Sequence, residues 1–239
     1  MSKKLLLNAA LVCAVLLAPA APVAVRAQDG HEYAPIMEKT INYKDWTFKS
    51  LRDGAPVNLR QWARGKKLVM VVYYAPWCGN WRFEAPVVAR LYDKYKSKGF
   101  DVIAVNEYGS LDAARAFFGE AGSPYMVVVE SEAREAREQT THYGYRMACS
   151  DTRRWGSPFN IFLEPSKLAA TGDVLTEKAF VVGGELVEAD VEQFIRQRLN
   201  LNEKASADSC ENEPAKTVIA PAKTTIAPIK TAIAPVRKP

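Results

Sequence analysis

The sequence has few of the side chains that most often bind metals or cofactors. Its 239 residues include only 2 histidines and 4 cysteines. His31 and His142 are isolated, with no further ligands at metal-binding spacing, so we predict that both lie at the surface and that there is no metal site. No Cys-x-x-Cys-His segment is present for haem attachment, and we predict no bound cofactor.

An excess of charge of one sign is also missing from the central part of the chain. The net charge of +5 arises at the two ends, and residues 28–202 carry no net charge. A domain of this kind offers no net basic charge from which to predict nucleic-acid binding. Nucleic acid is therefore not among the predicted partners.

Hydrophobic runs long enough to cross a bilayer are lacking as well. Near the start, Lys3 and Lys4 precede an apolar stretch at residues 5–17, and a small-residue cleavage site follows at residues 25–27. The stretch is shorter than the roughly 20 residues that a membrane helix needs. We predict a cleaved signal peptide over residues 1–27, which includes Cys13, with a retained anchor as the alternative. The protein is then periplasmic or secreted, without an integral membrane segment.

The last part of the chain is repetitive. Residues 203–239 contain three copies of a seven-residue unit that ends at Pro221, Pro228 and Pro235. Regular prolines break helices, so we predict a disordered tail. It is either a plain spacer or, through its lysines, a contact to an anionic envelope surface.

Between the ends, short apolar runs alternate with segments of helical periodicity. This order predicts an α/β fold, with a sheet flanked by helices, over residues 40–202, preceded by an N-terminal extension at 28–39. The predicted strands are 66–74, 101–105, 125–129, 159–163 and 179–182. The predicted helices are 84–95, 111–120, 132–140 and 190–199.

The most informative segment is Tyr74–Pro86, which follows the first predicted strand. It contains Trp77, Cys78, Glu84 and Pro86 at the spacing Trp-Cys-x-x-x-x-x-Glu-x-Pro. This segment resembles the active site of the thioredoxin superfamily, closest to its exported TlpA- and ResA-like branch. The resemblance covers roughly residues 40–200 and implies a thioredoxin-like fold with a central mixed sheet.

The chain departs from the family pattern at one decisive position. Trp81 stands where the family has its second cysteine. In a two-cysteine motif the second thiol attacks the mixed disulfide and releases the substrate. Cys78 has no such neighbour, which excludes ordinary two-cysteine cycling at this motif.

Cys78 is nevertheless predicted to be reactive. It precedes a predicted helix, where unpaired backbone N–H groups favour a thiolate over a thiol. The resemblance implies that Glu84 handles protons for this cysteine. The alternative is a glutamate that only complements the helix dipole.

The resemblance also implies a cis-proline loop opposite the cysteine. Pro158, directly before an apolar run, is the candidate, and Ser157 would then offer its backbone to a bound peptide. A trans proline in an ordinary turn is the alternative. Trp77 and Trp81 are further candidates for substrate contact, although a core position for Trp81 is equally compatible with the sequence.

The remaining cysteines leave the disulfide pattern open. After signal cleavage, Cys78, Cys149 and Cys210 meet an oxidising compartment. Cys149 lies in a polar stretch before the proline loop and could resolve the mixed disulfide of Cys78. Cys149–Cys210 pairing and the absence of any fixed bridge are the alternatives.

Two functional hypotheses follow. The first is an exported thiol–disulfide oxidoreductase that forms mixed disulfides with exported protein thiols or disulfides. The second is a redox-inactive thioredoxin-like binding module. A peroxidase is disfavoured, because Ala75 and Val71 occupy the positions where peroxiredoxins carry Thr or Ser and Pro.

Overall fold

A computed structural model of the chain describes residues 26–28 and 30–201, with side chains from residue 30 onward. Apart from the backbone of residues 26 and 27, the predicted signal peptide lies outside the described residues. So do the predicted tail, Cys13 and Cys210.

Ten strands, five α-helices and three short 3₁₀ helices make up the described part of the chain. The strands are β1 (Arg26–Gln28), β2 (His31–Tyr33), β3 (Met37–Lys44), β4 (Thr47–Ser50), β5 (Pro56–Asn58), β6 (Leu68–Tyr74), β7 (Phe100–Asn106), β8 (Met126–Val129), β9 (Phe159–Leu163) and β10 (Val174–Val182). The α-helices are α1 (Leu59–Trp62), α2 (Gly79–Tyr95), α3 (Leu111–Phe118), α4 (Thr141–Ala148) and α5 (Glu188–Arg198).

Eight of the strands form one mixed sheet in the order β3-β10-β9-β6-β7-β8-β4-β5. Strands β6, β7 and β8 are parallel to one another, and the other pairs are antiparallel. Helices cover both faces. This architecture confirms the thioredoxin-like α/β fold implied by the sequence.

The core has two layers, one on each face of the sheet. Strand β6 is completely buried, and its side chains alternate between the layers, as the pleat of a strand requires. Met70 and Val72 pack with α2 and α5 in the first layer, whereas Val71 and Tyr73 pack with α1 and Tyr145 of α4 in the second. Cys78 borders the first layer, and Cys149 borders the second.

Most of the predicted elements are present, but one helix is wrongly placed. Residues 132–140 contain only a 3₁₀ turn at Arg137–Gln139, and the α-helix begins at Thr141. The charged residues of this segment have no apolar face to bury. Thr140 instead caps the real helix, because its side chain accepts a hydrogen bond from the backbone N–H of Tyr143 at 3.1 Å.

The domain also begins earlier than residue 40. Strand β3 starts at Met37, and the preceding segment contacts the sheet end: the N–H of Ala34 donates to the carbonyl of Glu185 at 3.1 Å. The extension predicted at 28–39 is thus partly a strand of the main sheet.

None of the helices in the described residues combines the length and the hydrophobicity needed to cross a membrane.

We expect the buried strand β6 to dominate stability. Val72→Ala removes two methyl-sized groups from a side chain with no exposure and should lower the free energy of unfolding by about 2 kcal/mol. Val174→Ala, at a position that is 37% exposed on strand β10, should change it by less than about 0.5 kcal/mol. Urea denaturation measures both, and equal effects would contradict the assignment of β6 to the core.

Candidate active site

Cys78 sits at the N-cap of the 17-residue helix α2, immediately after the loop that leaves β6. Its backbone N–H donates to the carbonyl of Ala75 at 2.9 Å, which tightens the turn into the helix. The side chain is half-buried at the edge of the first core layer. The residue is thus only partly exposed.

The loop before β9 faces this cysteine. The Ser157–Pro158 peptide bond is cis, which is the form that the resemblance implies. The thiol of Cys78 donates to the carbonyl of Ser157 across 3.1 Å, and the hydroxyl of Ser157 accepts from the N–H of Ala75 at 2.9 Å. Ser157 therefore joins the end of β6 to the start of β9.

Two groups lie next to the Cys78 thiol. The start of α2 carries partial positive charge on its unpaired backbone N–H groups. The Ser157 carbonyl can only accept, so it pairs with the thiol as long as no other donor takes its place.

Trp81, three residues after Cys78, is completely buried. Its ring lies 4.9 Å from that of Tyr74 and 5.7 Å from that of Phe117. This placement differs from the substrate contact expected from the sequence, since a side chain with no exposed surface cannot touch a partner. Trp81 instead occupies the core position that the sequence also allowed.

Glu84 is also buried, one turn further along α2. Its Oε2 accepts hydrogen bonds from the N–H of Leu186 at 2.8 Å and from the side-chain amide of Asn160 at 3.3 Å. Burial raises the pKa of Glu84 to about 8, against the opposing effect of these hydrogen bonds. As the sixth residue of the helix and a buried one, it is not an exposed partner of the helix dipole.

The structure does not bring Cys149 to Cys78. Neither forms a disulfide within residues 30–201, and they border opposite layers of the core. Cys149 ends helix α4, and burial raises its pKa to about 11, although Lys39 acts in the other direction. A thiol in this state is a poor nucleophile at neutral pH. Pairing with Cys210 concerns a residue outside the described chain.

A cluster of aromatic rings borders Cys78. The indole N–H of Trp77 donates to the backbone carbonyl of Tyr108 at 2.8 Å. The ring of Trp77 packs edge-on against that of Trp155, with 5.2 Å between the centroids. Trp77 precedes Cys78 and Trp155 precedes the cis-proline loop, so the two indoles connect both sides of the site.

Sequence reasoning missed a buried residue beneath this loop. His142 has no exposed surface, so the prediction of a surface histidine was wrong. Burial holds its pKa well below the usual value, and the ring is neutral at pH 7. Because the carbonyl of Gly156, 3.1 Å away, can only accept, Nε2 carries the proton, and Nδ1 then accepts from the hydroxyl of Tyr108 at 3.0 Å.

The loop is held by charged groups as well. Arg153 donates to the carbonyl of Pro158 at 2.9 Å and pairs with Asp151 at 2.8 Å. The buried guanidinium of Arg146 lies against Gly156, where any added Cβ would collide with it. Gly156 also has a φ of +56°, so both its space and its backbone favour glycine.

His31, the other histidine, contacts Glu185 through Nδ1 at 2.8 Å. Within residues 30–201, no three His, Cys, Asp or Glu side chains come together in a group that could hold a metal ion.

The sheet order and the cysteine at a helix start opposite a cis proline define a thioredoxin-like protein. A family model supports this placement, since the model described as Redoxin matches residues 38–163. The chain belongs to the redoxin family.

Individual relatives are more distant. The chain is 28% identical over 127 residues to the protein disulfide-isomerase of Saccharomyces cerevisiae, a match that covers 53% of this chain and 22% of that protein. The chain thus spans about a fifth of that relative's length.

Solved structures with similar folds come from bacteria. One is a thiol:disulfide interchange protein of the thioredoxin family from Chlorobium tepidum, with 23% identity, 66% of this chain and 94% of that chain covered, and a TM-score of 0.44. Another is a thioredoxin-related protein from Neisseria meningitidis serogroup B, with 18% identity, 64% and 98% coverage, and a TM-score of 0.48.

The His142 hydrogen bonds make a first prediction for this site. His142→Phe keeps a ring stacked on Tyr73 but leaves the Gly156 carbonyl without its donor and the Tyr108 hydroxyl with only the Thr140 hydroxyl, 3.3 Å away. We expect the free energy of unfolding at pH 7.5 to fall by about 2–3 kcal/mol. Tyr108→Phe, which preserves the bond to Gly156, should cost less.

The same substitution changes the acid side of the stability profile. In the wild type, the unfolded chain gains a proton on His142 near pH 6.5 and the folded chain does not, so stability falls as the pH drops below 6.5. The phenylalanine variant should lack this contribution in urea titrations from pH 5 to 7.5. A variant as stable as wild type would contradict the assigned role of His142.

The raised pKa of Glu84 predicts how stability changes as the pH rises. The unfolded chain releases the carboxyl proton of Glu84 near pH 4.5, whereas the folded chain releases it only near pH 8. The contribution of Glu84 to stability is therefore complete below pH 4.5 and is lost as the pH rises through 8. At about 1.4 kcal/mol per pKa unit, the loss is at most roughly 5 kcal/mol. Glu84→Gln stays neutral and can still accept from Leu186.

We therefore expect Glu84→Gln to flatten the fall in unfolding free energy between pH 5 and 8.5. The fall should not vanish, because burial also raises the pKa of Glu107. Glu188→Gln, which changes an exposed carboxylate, is the matched control and should keep the wild-type slope. Identical slopes for Glu84→Gln and wild type would refute a proton held on Glu84.

Proposed function

We propose that the protein is an exported thiol–disulfide oxidoreductase in which Cys78 is the single motif thiol. It forms mixed disulfides with protein thiols or disulfides of the cell envelope. The observation that carries the proposal is the position of Cys78 at the start of α2, 3.1 Å from the carbonyl before the cis proline. Export rests on the signal peptide predicted over residues 1–27.

The chemistry is ordinary disulfide exchange. The Cys78 thiolate attacks one sulfur of a substrate disulfide, the Cys78–substrate bond forms, and the substrate S–S bond breaks. The second substrate sulfur leaves with the electron pair and takes up a proton. The mixed disulfide then awaits another thiolate, which attacks the substrate sulfur and returns Cys78 as a thiol.

Substrate binding supplies the activation step in this proposal. An extended substrate segment at the cis-proline loop donates a backbone N–H to the carbonyl of Ser157. The substrate N–H replaces the Cys78 thiol as the donor to the Ser157 carbonyl, and the N-terminus of α2 then favours the thiolate of Cys78. Burial raises the pKa of Glu84 to about 8, so a minority of molecules carry it ionised at neutral pH, and in these the carboxylate accepts the proton that this step releases, whereas in the others the proton passes to solvent.

Resolution is assigned to an external thiol. Trp81 cannot attack, and Cys149 borders the opposite core layer with a thiol that burial keeps protonated. A resolving role for Cys149, predicted from the sequence, would need α4 to leave its place on the sheet. Disulfide mapping of the mature protein after alkylation distinguishes these routes.

Trapping of a model disulfide tests the function. We expect the reduced protein to form a one-to-one mixed disulfide at Cys78. The adduct should persist for hours and be released by added glutathione, and intact-mass spectrometry measures both its formation and its release. Cys78→Ser should abolish the adduct, and Cys149→Ser should leave its formation and lifetime unchanged. We also expect Cys78 to react with iodoacetamide at neutral pH faster than free cysteine does.

Two outcomes would change the proposal. If no adduct forms and Cys78 reacts no faster than free cysteine, the protein is better described as a redox-inactive binding module. If an intramolecular Cys78–Cys149 bridge replaces the adduct, Cys149 is the resolving thiol.

A further inference from the structure

Two exposed arginines lie against the tryptophans that border the reactive cysteine. The guanidinium of Arg134 is 4.0 Å from the ring centroid of Trp77 and 5.8 Å from that of Trp155. The guanidinium of Arg154 is 5.4 Å from the same Trp155 ring. We call Trp77, Trp155, Arg134 and Arg154 the arginine–tryptophan rim.

The rim lies beside the place where substrate must bind. Trp77 is the residue before Cys78, and Trp155 stands two residues before Ser157. Any polypeptide that pairs with the Ser157 backbone and presents a sulfur to Cys78 passes next to these side chains. The rim can therefore select among substrates by the residues that flank their reactive cysteine.

The charges of the rim are available to a partner. Within residues 30–201, neither Arg134 nor Arg154 forms an ion pair, and both are exposed. Neighbouring charges are already engaged: Arg137 pairs with Glu138 at 2.6 Å, and Glu132 accepts from the N–H of Leu111 at 3.3 Å. Glu135 is the remaining exposed acid of this segment.

Stacking also orients the two guanidinium groups. An arginine held over an indole face keeps its N–H donors at the ring edge, where a carboxylate can accept two hydrogen bonds. Since residues 28–202 have no net charge, this preference is local to the rim and is not a property of the whole surface.

We propose that the rim recognises acidic residues next to the target cysteine, so that the preferred substrates are protein segments with Asp or Glu flanking a cysteine. This inference rests on the proposed function of Cys78, because the rim acts only on chains that react there. The rim contributes attraction and orientation and takes no part in the exchange of sulfurs.

Three peptides that differ only in charge provide the test. Each carries one cysteine as a mixed disulfide with 2-thiopyridine, flanked by Glu, Gln or Lys on both sides. Attack by Cys78 forms the Cys78–peptide disulfide and breaks the bond to the pyridyl sulfur, which leaves with the electron pair and is detected as pyridine-2-thione. The rate with Cys78→Ser is subtracted, so that other thiols do not contribute.

At low ionic strength we expect the Glu peptide to react about tenfold faster than the Gln peptide, and the Lys peptide to react slowest. About 0.5 M salt should reduce the ratio to near one. Arg134→Gln combined with Arg154→Gln should reduce the ratio at low salt in the same way.

Arg64→Gln is the matched control, because Arg64 is exposed and precedes β6, at the end of that strand away from Cys78. It should keep the wild-type preference. Urea denaturation of all variants shows whether they fold.

The outcomes distinguish the role of the rim from the proposed function of Cys78. If the Glu and Gln peptides react equally with Cys78, the rim has no selective role and the oxidoreductase proposal stands. If the preference survives in the double variant, another surface causes it and the inference is overturned. If no peptide reacts at Cys78, the proposed function fails and the inference falls with it.

Discussion

The register between two neighbouring strands determines the geometry of the whole site. Strand β6 pairs with β9 so that Tyr73 lies opposite Phe159. Because α2 begins shortly after β6 ends and the cis-proline loop comes just before β9, this single register places Cys78 opposite Ser157. A shift by one residue would turn the buried side chains of β6 to the wrong layer, so the burial of that strand and the position of the cysteine depend on the same constraint.

The parts of this site that the sequence predicts are those with local signals. The apolar run of β6, the cysteine before a helix and the proline before β9 are each visible in a few consecutive residues. Their combination in one motif was sufficient for the fold and for the approach of Cys78 to the proline loop. The N-terminal strands were not predicted, since their pattern is polar and mostly exposed.

The missed features depend on contacts between distant segments. Nothing near His142 in the chain indicates that Tyr73 will stack on it or that the Gly156 carbonyl will accept a hydrogen bond from its ring. Arg134 becomes part of the site only because its segment folds over Trp77, which is far from it in sequence. The position of Cys149 depends on the sheet in a similar way. Neighbouring residues of β6 point into opposite core layers, and the sheet separates the layer that Cys149 borders from the layer that Cys78 borders.

The burial of Trp81 limits what can replace it. A cysteine at this position would create a Cys-x-x-Cys motif with Cys78, but it would also remove a large ring from between Tyr74 and Phe117. Replacing a buried tryptophan with a small residue costs about 3–5 kcal/mol, a large part of the 5–15 kcal/mol that typically separates folded from unfolded domains. A second cysteine at this position therefore requires the aromatic neighbours to change first or together with it.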